Sequence, residues 1–158
     1  MSEIDLVRFN KLKQKTEEDY KEIGTIFSPA LKSAINFTSE GFYHLRYSSN
    51  RSERTRSVQQ NKFRFFNQAV DIIKKATTIQ EYRRSICPVG KPDHSGFRKT
   101  GIVHWFGFFA ITNFSNSTRI MVVVRKVGEG QYHFWSVMPY WSLSNKNRVI
   151  GSDKIKDE

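Results

Sequence analysis

The sequence predicts one α+β domain in which helices come first and an antiparallel sheet follows. Apolar side chains recur at helical spacing in residues 5–22 and 58–76, and with the period of two that is typical of strands from Lys99 onward. A glycine-rich turn, Gly128-Glu129-Gly130, separates two apolar runs and indicates a hairpin. Helices followed by strands that pair with their neighbours are typical of the α+β class.

The first part of the chain, residues 1–40, is predicted to be helical. A loose apolar stripe in residues 5–22 favours a helix that ends at Gly24. Ser28-Pro29 has the pattern of an N-cap followed by proline at the first helical position, which predicts a short helix over residues 30–37.

Residues 41–140 are predicted to form the core of the domain. The aromatic run 42–47 favours a strand, and residues 48–57, with three arginines and no apolar side chain, favour an exposed loop. A helix is predicted over 58–76. The spacing of Thr78 and Glu81 matches a capping box, which predicts a further helix to about residue 86.

The remaining elements are strands. Residues 101–114 carry apolar side chains on both faces and are expected to form a central strand. Residues 118–127 are the strongest strand of the sequence, and residues 131–138 return from the turn and end at Pro139. Residues 113–117 are expected to turn the chain, and the polar tail from 141 to 158 is expected to fray.

Composition narrows the classes of function. Cys87 is the only cysteine, which excludes an internal disulfide framework and a cysteine-rich zinc site. His104 interrupts the longest apolar run, which falls short of the roughly 18–20 residues of a membrane span. The start of the chain is acidic and shows no secretory signal. We therefore expect a protein of the cytoplasm.

The positive charge is concentrated in the middle of the chain. Of 26 lysines and arginines in 158 residues, thirteen lie between residues 41 and 100, against four acidic residues in that stretch. Such a field attracts polyanions, which favours nucleic acid over an acidic membrane surface or an acidic protein. A solvated basic surface without a partner would have the same composition.

No familiar catalytic motif is present: the chain lacks a phosphate-binding glycine loop, a zincin helix and a nucleophile elbow. Acidic residues are too scattered for a two-metal nuclease, so neither a metal nor another cofactor is expected. RNA cleavage does not require one. The 2′-hydroxyl attacks the adjacent phosphate when a base removes its proton and cations hold the developing charge.

His44 is the first candidate for such chemistry. Its neutral-range titration suits proton transfer, and on a strand Arg46 would share its face. A strand histidine bonded to a neighbour is the alternative interpretation.

The predicted hairpin supplies the second group. With a three-residue turn, Arg125 lies opposite His133 and Val123 opposite Trp135. A cation beside an imidazole is a poor structural pair but a reasonable phosphate site. Arg119 shares the face of Arg125. A two-residue turn would instead place Tyr132 opposite Arg125, so both registers remain open.

Ser136 interrupts an apolar stretch and is a candidate to bond a substrate phosphate, or equally to satisfy a strand end. Other residues are candidates for contact with nucleic acid, through charge or through stacking on unpaired bases. Aromatic residues at alternating positions are also common in cores. The candidates for nucleic-acid contact are Arg46, Tyr47, Arg51, Arg54, Arg56, Lys62 and Tyr132.

Two stretches resemble a known group of proteins. They are residues 41–47, Gly-Phe-Tyr-His-Leu-Arg-Tyr, followed by the basic loop and an aromatic helix, and residues 119–139, which end in Phe-Trp-Ser-Val-Met-Pro. Together they resemble small bacterial and phage-borne proteins of the barnase–EndoU–colicin–RelE-like ribonuclease superfamily, which includes toxins of toxin–antitoxin systems. The resemblance covers about residues 40–140.

The resemblance implies a metal-independent endoribonuclease that leaves a 2′,3′-cyclic phosphate. It implies helices on one face of a four-stranded antiparallel sheet and a cleft on the other face. His44 would transfer protons, Arg119 and Arg125 would stabilise the phosphate, and His133 or Ser136 would complete the site. No glutamate matches the base of barnase. Many members are neutralised by an acidic antitoxin or immunity protein, which fits the positive charge.

Overall fold

The computed structural model describes residues 2–112 and 118–142, and within them the chain forms three helices and six strands. Both long helices agree with the prediction. Helix α1, Glu3–Ile23, begins at a capping box between Ser2 and Asp5, and Gly24 ends it with a φ of 66°. The second long helix, Arg56–Lys75, is α3 in chain order and begins at Thr55, whose side chain accepts the Val58 N–H.

The helix predicted over residues 30–37 is wrong, because this segment belongs to a hairpin. Strands β1, Thr25–Ser28, and β2, Ser33–Asn36, pair antiparallel. Ser28 uses its hydroxyl as a cap, but the Leu31 N–H that it accepts at 3.2 Å belongs to the turn. Lys32 has a φ of 52° and reverses the chain. The hydrogen bond of the Ser28 hydroxyl, which the sequence pattern assigns to a helix N-cap, therefore stabilises a turn.

The strand predicted over residues 42–47 is also wrong. These residues belong to helix α2, Ser39–Arg46, whose buried positions are Gly41, His44 and Leu45. That spacing of three and four places them on one helix face. Packing against the sheet thus overrides the strand preference of the aromatic residues.

Four strands follow α3: β3, Glu81–Val89; β4, Lys99–Thr112; β5, Thr118–Val127; and β6, Tyr132–Ser142. Strands β4, β5 and β6 confirm the predicted ones, except that β6 continues past Pro139, where the prediction ends it. Strand β3 replaces the helix predicted to run to residue 86. The sheet order is β1-β2-β6-β5-β4-β3, with β2 parallel to β6 and the other pairs antiparallel. The sheet is therefore six-stranded and mixed rather than four-stranded and antiparallel.

The sheet buries apolar side chains on both faces. On one face, side chains of all three helices join those of the strands around Phe66, Phe108 and Phe134, and we call this the helix-side core. The other cluster consists entirely of strand residues, with Val103, Trp105, Met121, Val123 and Trp135 at its centre. We call it the strand-only cluster, and its face is the open face.

No helix within the described ranges is long and apolar enough to cross a membrane. The turn expected at 113–117 and the tail beyond residue 142 lie outside the described residues.

Candidate functional site

The site is built around an irregularity in β6. Arg125 lies directly opposite His133, as the three-residue turn predicts. Two residues further along, the register shifts: Val124 pairs with Phe134, but Val123 pairs with Ser136. Trp135 is therefore an extra residue in β6, and the predicted pairing of Val123 with Trp135 is wrong because of this bulge. Bulges re-aim side chains and are frequent beside functional sites.

Two candidate residues contact the indole of Trp135. The guanidinium carbon of Arg125 lies 4.2 Å from the ring centroid, in the geometry of a cation–π contact. The imidazole of His44 lies 3.7 Å from it, centroid to centroid, with the ring planes inclined by 34°. Residues that are 81 positions apart in the chain, His44 and Arg125, thus meet through one aromatic ring.

A close backbone contact brings His44 to this place. A Cβ added to Gly41 would lie 2.6 Å from the carbonyl oxygen of Phe134 and closer still to the hydroxyl of Tyr20. Only glycine allows α2 to approach β6 this closely. Three residues later, on the same helix face, His44 reaches the bulged Trp135.

Arg125 is held in a partly buried environment. Burial lowers the pKa of its guanidinium, while the side chain of Cys87 and the carboxylate of Glu40 act in the opposite direction. A guanidinium stays charged in proteins even when its pKa is lowered. The result is a fixed, partly desolvated cation, and hydrogen bonds from such a guanidinium to a phosphate are strong.

His133 stands beside this cation on the open face, because directly opposed strand residues share a face. Its side chain is half-buried. Its Nδ1 atom is buried, and the described residues offer it no hydrogen-bond partner. His133 is therefore a second imidazole next to Arg125, at a point where the surface is accessible.

Ser136 and Lys62 form a buried pair behind the bulge. Lys62 is only 2% exposed, and its Nζ donates to Ser136 Oγ at 2.8 Å and to the carbonyl oxygen of Val137 at 3.1 Å. The sequence suggested direct contact with nucleic acid for Lys62 and with a phosphate for Ser136. In the structure both are interior residues that join α3 to the bulged strand.

Arg119 and Tyr132 do not belong to this group. Arg119 lies six residues from Arg125 on β5, which corresponds to about 20 Å along an extended strand. Its guanidinium covers the ring of Phe109 at 4.4 Å. Tyr132 packs against the helix-side core, on the opposite face from His133.

The basic loop lies at the C-terminal end of α2, next to His44. Arg54 donates from Nε to the carbonyl oxygen of His44 at 3.1 Å, which places a cation at the negative end of the helix. Arg46 faces Glu53 at 3.6 Å and covers the ring of Tyr47 at 5.2 Å. Arg51 and Arg56 are exposed. These last two, one in the loop and one at the first position of α3, are the cations of this segment that are most accessible to a polyanion.

Sequence reasoning missed two members of the site. Trp135 was visible only as part of the Phe-Trp-Ser-Val-Met-Pro stretch, since a bulge leaves no local signal. Glu40 is missed because the aromatic pattern of residues 42–47 predicts a strand. In a helix, Glu40 precedes His44 by four residues and shares its face.

Other features lie away from this group. Two surface clefts, of about 470 and 560 Å³, are lined by other residues, the first around Ile26 and Val70 and the second around Ile72 and Ala110. In the described ranges, no group of three or more His, Cys, Asp or Glu side chains is arranged to hold a metal ion. Comparisons with protein-family models, with curated proteins and with solved structures gave no match.

Proposed function

We propose that this protein is a metal-independent endoribonuclease. One observation carries the proposal: His44 and Arg125 contact the same indole, and His133 lies directly opposite Arg125. Two imidazoles and one guanidinium gathered around Trp135 and Arg125 are the side chains that cleavage by the 2′-hydroxyl needs. An open surface also suits a polymer substrate better than an enclosed pocket would.

The reaction proceeds by transesterification. A base removes the proton of the 2′-hydroxyl, the 2′-oxygen forms a bond to phosphorus, and the bond from phosphorus to the 5′-oxygen breaks. An acid donates a proton to the departing 5′-oxygen, which leaves a 2′,3′-cyclic phosphate. His44 and His133 are the proton-transfer groups, and Arg125 stabilises the charge on the phosphoryl oxygens. Glu40, four residues before His44 on the same helix, has a carboxylate that is also available as the base.

The surroundings support an RNA substrate. Arg51 lies in the loop that follows α2 and Arg56 begins α3, so two exposed cations lie in the segment that follows His44 and are available to phosphates. A cytoplasmic enzyme that cuts RNA needs restraint in its own cell. An acidic antitoxin or immunity protein that covers this positive surface would provide it.

The test is cleavage of a labelled single-stranded RNA by purified protein in EDTA. We expect wild-type protein to cut it and to leave cyclic phosphate ends, and an oligonucleotide of identical sequence with 2′-deoxyribose to remain intact. His44→Ala, His133→Ala and Arg125→Ala should each lower the rate by about 100-fold or more.

Arg119→Ala is the matched control, because it removes the same side chain from the same strand about 20 Å away. It should leave the rate within about threefold. Equal rates for Arg125→Ala and Arg119→Ala would contradict the proposed site, as would cleavage of the deoxyribose oligonucleotide.

The second candidate is a non-catalytic RNA- or DNA-binding module that uses the same basic face. The burial of His44, at 9% exposure against Trp135, is the observation that favours it, because a packing role would also explain that contact. Tight binding of intact RNA by the wild type, with no cleavage either in the presence or in the absence of EDTA, would favour this second function.

A further inference from the structure

Four ring side chains lie side by side on the helix side of the sheet, beyond the part that the helices cover. The ring of Tyr82 lies 5.8 Å from that of His104 and 5.2 Å from that of Phe106, and Phe106 lies 5.5 Å from Tyr132. These distances join side chains of β3, β4 and β6. We call Tyr82, His104, Phe106 and Tyr132 the aromatic row.

The row runs from the interior to the solvent. Phe106 and Tyr132 pack at the margin of the helix-side core, which anchors that end. Tyr82, at the other end, is 45% exposed, and its neighbours on the same face, Ile86 and Ile102, are 75% and 42% exposed. A contiguous exposed apolar patch of this kind is a common feature of binding surfaces.

Cations lie next to the rings. Arg84 pairs with His104, and His104 pairs with Lys126, so the three residues form one rung across β3, β4 and β5. Arg84 is exposed. The ammonium of Lys126 lies 5.0 Å from the centroid of the Tyr132 ring and 3.8 Å from the carboxylate of Glu129 in the turn. The patch is therefore aromatic and positively charged together.

We propose that the aromatic row binds single-stranded RNA by stacking bases on Tyr82 and holding phosphates with Arg84 and Lys126. Flat rings combined with cations are the recurring means of binding unpaired nucleic acid, since every base has a π-face and every nucleotide a phosphate. An apolar protein partner would gain nothing from the two cations. The choice of RNA rests on the proposed function, whereas the stacking surface does not.

The row and the candidate site lie back to back. Tyr132 and His133 are consecutive on β6, and Arg125 and Lys126 are consecutive on β5, so each pair points to opposite faces. Both surfaces reach the turn at Gly128–Gly130. An RNA strand that passes round this turn contacts both, so the row holds the substrate on the side away from cleavage.

Fluorescence anisotropy with a labelled single-stranded 2′-O-methyl RNA tests the row, because this probe lacks the 2′-hydroxyl and cannot be cleaved. Tyr82→Leu keeps the apolar bulk and removes the flat ring, so it should weaken binding about 5- to 100-fold. Tyr82→Phe should bind within about threefold of the wild type. Phe97→Leu is the control at an aromatic residue that is 76% exposed in a loop.

Arg84→Ala changes an exposed residue and leaves the rings in place, so it should weaken binding several-fold without affecting the fold. It therefore tests the row independently if Tyr82→Leu fails to fold. Binding of Tyr82→Leu or Arg84→Ala equal to wild type would overturn the proposal, as would equal affinity for a duplex of the same sequence. A loss of self-association in Tyr82→Leu with unchanged RNA affinity would make the row a contact between two copies and also overturn it. Anisotropy with a labelled single-stranded DNA of the same sequence shows whether the row binds RNA more tightly than DNA.

The two proposals fail separately. Weakened probe binding in Tyr82→Leu together with full cleavage by His44→Ala would reject the catalytic site and keep the row. Unchanged probe binding in Tyr82→Leu together with loss of cleavage in His44→Ala would reject the row alone.

Discussion

The phenol of Tyr20 shows what a single buried polar group contributes. Its side chain is 3% exposed and touches the rings of Phe37, Phe66 and Phe134. Its hydroxyl donates to the carbonyl oxygen of Thr38 at 2.5 Å, immediately before α2. Burial raises the pKa of the phenol well above its usual value near 10, and a hydrogen bond from the backbone of Phe42 offsets only part of this.

Stability at alkaline pH should therefore depend on Tyr20. The raised pKa means that the folded protein keeps the phenolic proton after the unfolded chain has lost it. The resulting stabilisation is complete below pH 10 and is lost as the pH rises from the unfolded toward the folded pKa, at up to about 1.4 kcal/mol per pH unit. Urea denaturation of wild type and Tyr20→Phe between pH 8 and 11.5 measures this.

At pH 8, Tyr20→Phe should be less stable by about 0.5–1.5 kcal/mol, because the carbonyl oxygen of Thr38 loses one of its two donors and keeps only the Gly41 N–H. Above pH 10 the gap should narrow, since the variant lacks the titrating group. The remaining tyrosines titrate in both proteins and cancel in the difference. A gap that stays constant up to pH 11.5 would show that the phenol is not buried as described.

Among single residues, one pairing of the site follows from the sequence, that of Arg125 with His133, which is one of the two registers that the turn leaves open. Arg125 faces His133 because the length of the Gly128–Gly130 turn determines the register, and turn residues are visible in a sequence. The contact of His44 with Trp135 was not predictable in this way. It depends on an extra residue in β6 and on the packing of α2, and neither has a local signature.

At the scale of elements, α2 is held against β6 by the absence of a side chain at Gly41. Gly41→Ala should force the helix away from the strand, because the Cβ would meet the backbone oxygen of Phe134, which cannot yield as a flexible side chain would. We expect a loss of about 1–3 kcal/mol in unfolding free energy, as is usual for overpacking. RNA cleavage should fall further than stability explains, since His44 moves with the helix.

Gly101→Ala is the matched comparison for this prediction. Its added Cβ would lie 3.1 Å from a methyl group of Val89, a side-chain atom that can shift. Measuring the cleavage rate at a temperature where both variants are fully folded separates the effect of a displaced α2 from the effect of lower stability. Equal cleavage rates for the two glycine variants would mean that the position of α2 against β6 does not affect the reaction.

Two of the elements that the sequence predicts wrongly, the helix over residues 30–37 and the helix up to residue 86, share a physical cause. At Ser28 and at Thr78 the local signals were capping chemistry, and the same side-chain bonds serve turns. Strand β3 alternates between half-buried and exposed residues throughout, and it tolerates Pro88 because it is an edge strand. Only the sheet, through the pairing of Tyr82 with Phe106 and its neighbours, decides in favour of the strand. The long helices and strands β4 to β6 have enough repeats of their period to be predicted alone.

For the whole molecule, the placement of charge matters more than its total. The excess in residues 41–100 includes the loop after α2, which Arg54 ties to the carbonyl of His44. Helix α1 also carries exposed cations, Arg8 and Lys11, and its main packing partner is α3. If the positive charge near the candidate site binds RNA, removing cations from the segment after α2 should weaken binding more than removing them from α1. If the charge acts only through its total, the two changes should have the same effect.

The salt dependence of RNA binding distinguishes them. Affinity for single-stranded nucleic acid falls with salt in proportion to the number of phosphates that the protein neutralises, with a log–log slope of about −0.7 per contact. The double variant Arg51→Ala/Arg56→Ala should therefore bind the non-cleavable RNA probe more weakly and with a slope that is shallower by about 1.4. Arg8→Ala/Lys11→Ala lowers the net charge by the same amount and should leave the slope unchanged, because its cations lie on the helix layer away from the open face. Equal slopes for the two double variants would show that the charge acts as a diffuse coating and that the loop has no special place in binding.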